Sequence, residues 1–353
     1  MCIRDRSTKE LGRTLMTAPV GGISIRTGDP LFDQLFPSVQ KLISQTRQNI
    51  SVDGRAVHGY RAPDSWAMSI RQMSDMLRST RFFDGDVTSC VTHFGESQSA
   101  SGRLYDYFAR SRDPLAHSSP VLHYARHPGI PEAEFSFVKA LYLAWQSSGD
   151  DAWMNRMLPL AERALLYTRT NPHHWIDELQ LVRRSDSVDV LPARFAAPDR
   201  NRIQKTNWGI VAADNSGLFE AMRLLAAMYK TIGWQGKASY WYEHANELRE
   251  QANKLLWNGN FYAHFVPADQ AMIPDERVIS SLSFGNLLCI NRDMATHEMA
   301  VSILYEYQRR ATQQDSFAEW YAIDPPLPHH YFADENLKAG SSVNGGIMPL
   351  VGG

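Results

Sequence analysis

Phe317-Ala318-Glu319-Trp320-Tyr321-Ala322-Ile323-Asp324-Pro325-Pro326 sets a carboxylate between aromatic rings, in a loop stopped by two prolines. Aromatic rings offer flat apolar faces to a ring-shaped ligand, and a carboxylate supplies an acceptor or a base. About twenty residues later stands a second unusual loop, Gly340-Ser341-Ser342-Val343-Asn344-Gly345-Gly346-Ile347-Met348-Pro349-Leu350. Together the two loops point to a carbohydrate site on a helical scaffold. The competing reading is an exposed loop whose aromatics only pack.

The elements that must position these residues read as helices. Leu218, Met222, Leu225 and Met228 follow a three-to-four spacing, as do Trp241, Ala245, Leu248, Ala252 and Leu255. Phe135, Val138, Leu141 and Trp145 mark a helix ended by Ser147-Ser148-Gly149, and a partner runs from Asp151 to Tyr167. Further helices fit roughly 32–47, 64–80, 86–98, 277–289 and 294–312. Strand alternation is scarce, and Phe261 to Val266, after the Asn258-Gly259 turn, is the best candidate. The joints alternate in character. Gly149-Asp150-Asp151 and Gly233-Trp234-Gln235-Gly236 are tight, whereas 99–133, 171–212, 258–276 and 313–343 are long and polar. Repeated helix pairs of this kind describe a toroid of helical hairpins with its site on the long-loop side. A solenoid would show a fixed sequence period, and none is present.

Composition narrows the partners. At 353 residues the chain can bury a large core as one large domain or two ordinary ones. It carries 36 basic and 38 acidic side chains without a long run of either sign. Phosphate binding needs a concentrated basic face, so nucleic acid is not an expected partner. No apolar run approaches the length of a membrane span, so no membrane partner is expected either. Nine Trp and fourteen Tyr meet what sugar stacking requires, although bulky rings also fill cores. Cys2, Cys90 and Cys289 are far apart and show no metal spacing; the last two sit in apolar settings and read as buried free thiols. The absence of a disulfide pattern leans slightly towards the cytoplasm, and localisation is otherwise open.

No metal or cofactor is expected. His173-His174 and His329-His330 are adjacent pairs that do not converge on one ion, and His297-Glu298 lacks a second histidine at helical spacing. Asp84-Gly85-Asp86 is not a calcium loop and reads as a cap for the following helix. Phosphate loops, dinucleotide glycine fingerprints and nucleophile elbows are all missing from the sequence. The first residues, Met1-Cys2-Ile3-Arg4-Asp5-Arg6, lack the apolar stretch of a signal peptide and resemble translated adapter read-through of metagenomic reading frames. Residues 1–30 are therefore set aside as non-structural, and 31–353 form the catalytic-type domain.

Several segments in shared order resemble the six-hairpin glycosidase superfamily, from about residue 55 onward. Arg61-Ala62-Pro63-Asp64-Ser65-Trp66 looks like the Arg-Asp pattern that opens an early helix there and contacts sugar hydroxyls. Ser148-Gly149-Asp150-Asp151-Ala152-Trp153 is similar to its common helix hairpin, and Asp214-Asn215-Ser216-Gly217-Leu218 and Leu255-Leu256-Trp257-Asn258 resemble segments of its trehalase and glucosidase branches. Val343 to Leu350 looks like the glycine-rich start of a late inner helix. The resemblance implies an all-α fold, the (α/α)6 toroid. That fold needs twelve helices where roughly nine or ten are read, and the chain stops at Val351-Gly352-Gly353 where another should begin, so the toroid is expected to be incomplete at its C-terminus.

The resemblance also implies inverting hydrolysis of an oligosaccharide or glycoside by two carboxyl groups roughly 6.5–9.5 Å apart. Glu319 is the expected general base, walled by Trp320 and Tyr321. The acid is Asp189 or Asp214. Asp189 stands near the place where the resemblance puts an aromatic-flanked acid, but Leu191-Pro192 follow it where Trp and Asp are expected. Asp214 reads equally well as a helix N-cap, a role that favours its charged form. Arg61, Asp64 and Trp66 are expected to hold the innermost sugar, with Trp208 as a stacking platform and Asn344 as a close amide contact. Each has a plainer alternative: a helix start, core packing and a turn. Two rival functions remain at this level. One is a sugar 2-epimerase on the same toroid, which would need converging histidines such as His264 and His297; the other is a sugar-binding homologue without catalysis, motivated by Leu191-Pro192. Sugar identity, anomer and oligomeric state are not readable from the residues.

Overall fold

The structure, a computed structural model, describes residues 26–61, 67–110, 122–185, 208–269, 276–313, 323–328, 338–341 and 344–346. Helices dominate, with short two- to six-residue strands between them. Among the described residues no helix is long and apolar enough to cross a membrane. The chain divides into two compact units. The first holds residues up to His127 with Glu132–Tyr167 and Ala227–Gln235; the second holds Pro128–Pro131, Thr168–Ala226 and the chain from Gly236 onward.

In the first unit, α1 (Pro30–Thr46) starts where the Asp29 carboxylate accepts the Leu31 N–H at 2.8 Å, with proline at the first helical position. None of its side chains is buried. It is followed by an antiparallel hairpin of β1 (Arg47–Val52) and β2 (Arg55–Tyr60). Asp53 and Gly54 turn this hairpin with φ of 48° and 78°, the positive pair that Asp-Gly adopts most readily. The hairpin was not among the expected elements, although its Asp-Gly signal stands in the sequence.

A small sheet of β3 (Met68–Ser69), β4 (Tyr107–Arg110) and β5 (Leu122–Ala125) accompanies α2 (Ile70–Thr80) and α3 (Ser89–Glu96). As expected, Asp86 caps the helix after it, accepting the Thr88 and Ser89 N–H groups at 3.2 and 3.0 Å. α4 (Glu132–Ser148) packs on α2 and buries Phe135, Val138, Leu141 and Trp145, the residues its spacing marks. Gly149 then takes φ of 63° and its N–H bonds the Trp145 carbonyl, which ends the helix. Asp150 accepts the Trp153 N–H at 2.8 Å and opens α5 (Asp151–Thr170), while the Trp145 indole donates to Asp151. The hairpin read from Gly149-Asp150-Asp151 is thus fixed by local capping on both sides.

In the second unit, β6 (Trp175–Ile176) and β7 (Leu181–Val182) form a short ladder. β8 (Arg184–Ser185), β9 (Trp208–Ile210) and β10 (Val266–Pro267) form a sheet in the order β10-β9-β8. α6 (Ala212–Thr231) starts in this unit and α7 (Gln235–Leu256) lies in it from Gly236, while the tight turn that joins them at Gly233, with φ of 85°, belongs to the first unit. α7 buries Trp241, Ala245, Leu248, Ala252 and Leu256, a single stripe at helical spacing. The helix expected at 277–289 is instead two, α8 (Glu276–Ile279) and α9 (Gly285–Asn291). They are separated by β11 (Leu282–Ser283), which pairs with β12 (Ile323–Asp324). A strand partner more than thirty residues away outweighs the local helical spacing there. α10 (His297–Gln313) follows. The expected strand at 261–266 reduces to a Trp257–Tyr262 bridge and the two residues of β10.

One device recurs in this unit. Asn215 accepts the Val182 N–H at 3.0 Å and donates to the Val182 carbonyl at 3.1 Å. Asn286 does the same to Tyr262, at 2.7 and 3.0 Å, and Asn344 to Leu327, at 2.8 Å for both bonds. Each carboxamide is fully buried and acts as a strand partner would on the backbone of a residue 17 to 33 positions earlier. The loops are held to the segments that follow them without a continuous sheet.

Candidate functional site

Glu319, Trp320, Tyr321, Asp189, Asp64 and Trp66 lie outside the described residues. Arg61, Trp208, Asp214 and Asn344 are described, the first in one unit and the other three in the other.

Asp214 sits in the first turn of α6, which begins at Ala212, so it is inside the helix and not at its cap. Its Oδ2 accepts the Arg184 Nε–H at 2.7 Å, and both side chains are about 1–2% exposed. The register explains the pair. Asn215 clamps Val182, and one residue back along the helix Asp214 meets Arg184, two residues further along the chain. A guanidinium at this distance favours the charged, proton-accepting form of a carboxylate. Burial of the carboxylate acts the other way, and the pair stands as a fixed ionic contact.

Trp208 stands opposite Ser185 in the β8–β9 ladder and is half-buried. The Arg183 guanidinium lies 5.2 Å from its ring centroid, and the His174 ring meets it edge-on at 5.7 Å. Trp208 and Asp214 are therefore both anchored at one short ladder, Trp208 directly and Asp214 through Arg184. Beside them Gly209 is required by packing, because a Cβ there would fall 1.5 Å from the Phe265 ring. Nothing in the sequence marks Arg184, which reads as one of two adjacent basic residues, yet it is among the largest fully buried side chains.

Asn344 is fully buried with both ends of its amide on the Leu327 backbone, which makes it a clamp for the Pro-rich segment. Next to it, Gly345 at φ of 86° leaves room for Pro326, which a Cβ would approach to 2.4 Å. Arg61 is half-buried and donates to the Gln48 side chain at 3.5 Å, while its Nε has no hydrogen-bond partner among the described residues. Of the two histidines offered for an isomerase, His264 is buried ahead of β10 and His297 is exposed at the first residue of α10. Cys90 and Cys289 are free and buried, and burial pushes the Cys289 thiol up to about 12, far from reactivity at neutral pH. Among the described residues no group of three or more His, Cys, Asp and Glu side chains could hold a metal ion.

Asp324 belongs to the aromatic segment singled out above, where only its neighbouring prolines drew notice. It is 3% exposed, and its Oδ2 takes a 2.7 Å bond from Arg310 Nη1, which also donates to the Asp324 carbonyl. Arg310 Nε binds Glu306 at 2.7 Å, and Arg309 binds the same carboxylate through two N–H groups. These bonds, Arg309 first, hold the Glu306 carboxyl below the usual carboxylate range. Asp324 Oδ1 is buried and has no partner among the described residues.

No protein-family model matches the chain, and no curated protein sequence matches it. Solved structures do. The GH63 mannosylglycerate hydrolase of Thermus thermophilus, in complex with glucose, superposes at a TM-score of 0.56 with 12% identity, over 83% of this chain and 79% of that one. A GH78 family rhamnosidase of a Bacillus species gives 0.50 with 19% identity, over 68% of this chain and 22% of its own. The rhamnosidase of Klebsiella oxytoca with rhamnose bound gives 0.50 with 14% identity, over 70% and 42%. The chain spans about a fifth to two fifths of the length of these rhamnosidases. At such identities the likeness is one of fold. The chain shares the (α/α)6 toroid fold of these three structures, which are glycoside hydrolases.

Proposed function

We propose that this chain is a glycoside hydrolase that cleaves an oligosaccharide or glycoside with inversion, Glu319 acting as general base. The observation that carries this reading is the glycosidase fold, which accounts for most of this chain and most of the mannosylglycerate hydrolase it resembles. Neighbours that act on a mannoside and on rhamnosides support a small glycoside as substrate. In the proposed step a water held by Glu319 attacks the anomeric carbon and gives up a proton to that carboxylate. A second carboxylic acid protonates the departing glycosidic oxygen, so that one bond forms as the other breaks. The Arg184 pairing of Asp214 supports leaving the acid role to Asp189. Asp214 then serves as a fixed negative charge on Arg184, and Trp208, Trp320 and Tyr321 supply stacking faces.

The test is turnover of a panel of aryl α- and β-glycosides by the protein and by Glu319→Gln, Asp189→Asn and Asp214→Asn. Glu319→Gln and Asp189→Asn are each expected to lower kcat about 10²- to 10⁴-fold. The acid variant should lose less on substrates whose leaving group needs no proton. Full activity in Glu319→Gln would remove the base assignment, and an Asp189→Asn enzyme indifferent to leaving group would remove the acid.

A further inference from the structure

The second unit contains a cavity of about 310 Å³ that none of the residues above was chosen for. It lies between the Asn258-Gly259 turn, α8 and the last turn of α10, and is lined by Asn258, Asn260, Phe261, Glu276, Ile279 and Arg310, with Ser280. Its chemistry is mixed in a definite way. Arg310 is itself 8% exposed and held in place by Glu306, Asp324 and the Ser280 carbonyl, with its guanidinium 5.3 Å from the Phe261 ring centroid. The Asn258 oxygen is taken by the Asn260 and Phe261 backbone N–H groups, both at 3.0 Å, which leaves its NH2 as a donor. Asn260 and Glu276 line the cavity with side chains that bond to none of the described residues. The lining therefore offers both donors and acceptors and also carries the apolar Ile279 and Phe261.

Charge decides what fits. The guanidiniums of Arg309 and Arg310 are already paired with Glu306 and Asp324, and Glu276 adds a further carboxylate. An anion would meet net negative charge. A lone carboxylate beside a guanidinium is also a poor cation site. Neutral hydroxyl groups, each able to donate and accept, match the lining, and the volume is at the lower end of ligand-pocket sizes, right for one sugar ring. We propose that this cavity binds a single hexose-sized polyhydroxylated ring, with Glu276 and Asn260 bonding vicinal hydroxyls and Ile279 against a C–H face. The site does not depend on the catalytic reading, because none of its residues takes part in that chemistry.

Hydrogen–deuterium exchange of the full chain tests it, with glucose as the probe and glycerol and sodium phosphate as controls at equal concentration. Glucose should slow exchange at 258–262 and 276–280, with half-maximal effect on the order of millimolar for so small a ligand. The effect should persist in Glu319→Gln and require at least tenfold more glucose in Asn260→Ala/Glu276→Ala. Both altered side chains are exposed and bond to none of the described residues, so folding is not at stake. No slowing at these segments, equal slowing by glycerol or phosphate, or an unchanged response in the double variant would overturn the proposal. Loss of turnover in Glu319→Gln bears only on the catalytic reading.

Discussion

Asp214 and Arg184 put opposite charges 2.7 Å apart where water does not reach. Such a pair is weak evidence for net stability, but removing one partner leaves the other charge less compensated away from water. Asp214→Asn is therefore expected to cost about 3 kcal/mol in urea denaturation, and Asp214→Asn/Arg184→Met to recover most of it. A single variant as stable as the parent would mean that the pair is solvated. His93 offers a second test at this scale. Its ring meets Phe108 edge-on at 4.5 Å and bonds the Tyr124 hydroxyl at 3.0 Å, and burial lowers its proton affinity. Below the ordinary histidine value of about 6.5 the unfolded chain binds a proton that the folded chain refuses, so stability falls as pH falls from there towards the lower folded value. The urea midpoint should drop between pH 7 and pH 5, and drop less in His93→Gln. Of these residues the sequence marked Asp214 as polar at a helix start, which is a local property. Arg184 stayed hidden because its partner is thirty positions away and only the fold brings them together.

The elements show the same division between local and distant causes. The Gly149-Asp150-Asp151 turn was readable because a positive-φ glycine and an N-capping aspartate act within a few residues of themselves. The Asp53-Gly54 hairpin carried an equally local signal and was passed over amid the helical periodicity on either side. The asparagine clamps were not readable, since each acts on a backbone far back in the chain. Asn286→Leu should cost about 2–3 kcal/mol, because it leaves the buried Tyr262 N–H and carbonyl without partners. A cost below half of that would mean that another group replaces the amide. Gly209→Ala should abolish the soluble folded state or shift the Phe265 ring, detectable as lost near-UV circular dichroism, because its methyl group has no room.

At the level of the whole molecule, helical periodicity and the alternation of tight and long joints sufficed for the fold class. Both are properties of many residues at once and survive errors at single elements, such as the helix that turned out to be two. The candidate site was less readable. Glu319 drew attention through its aromatic neighbours, whereas the buried Asp324–Arg310–Glu306 network left no pattern, since ionic partners at 4 and 14 residues look like ordinary surface charge in a sequence. The central claim, inverting hydrolysis on this fold, is tested most directly by the anomer released first. Proton NMR should follow the best substrate of the glycoside panel through its earliest turnover, before the product mutarotates. The account predicts a first-formed sugar of anomeric configuration opposite to the substrate, with no product formed by Glu319→Gln. A first-formed sugar of the same configuration, or no turnover of any glycoside by the unaltered protein, would contradict it.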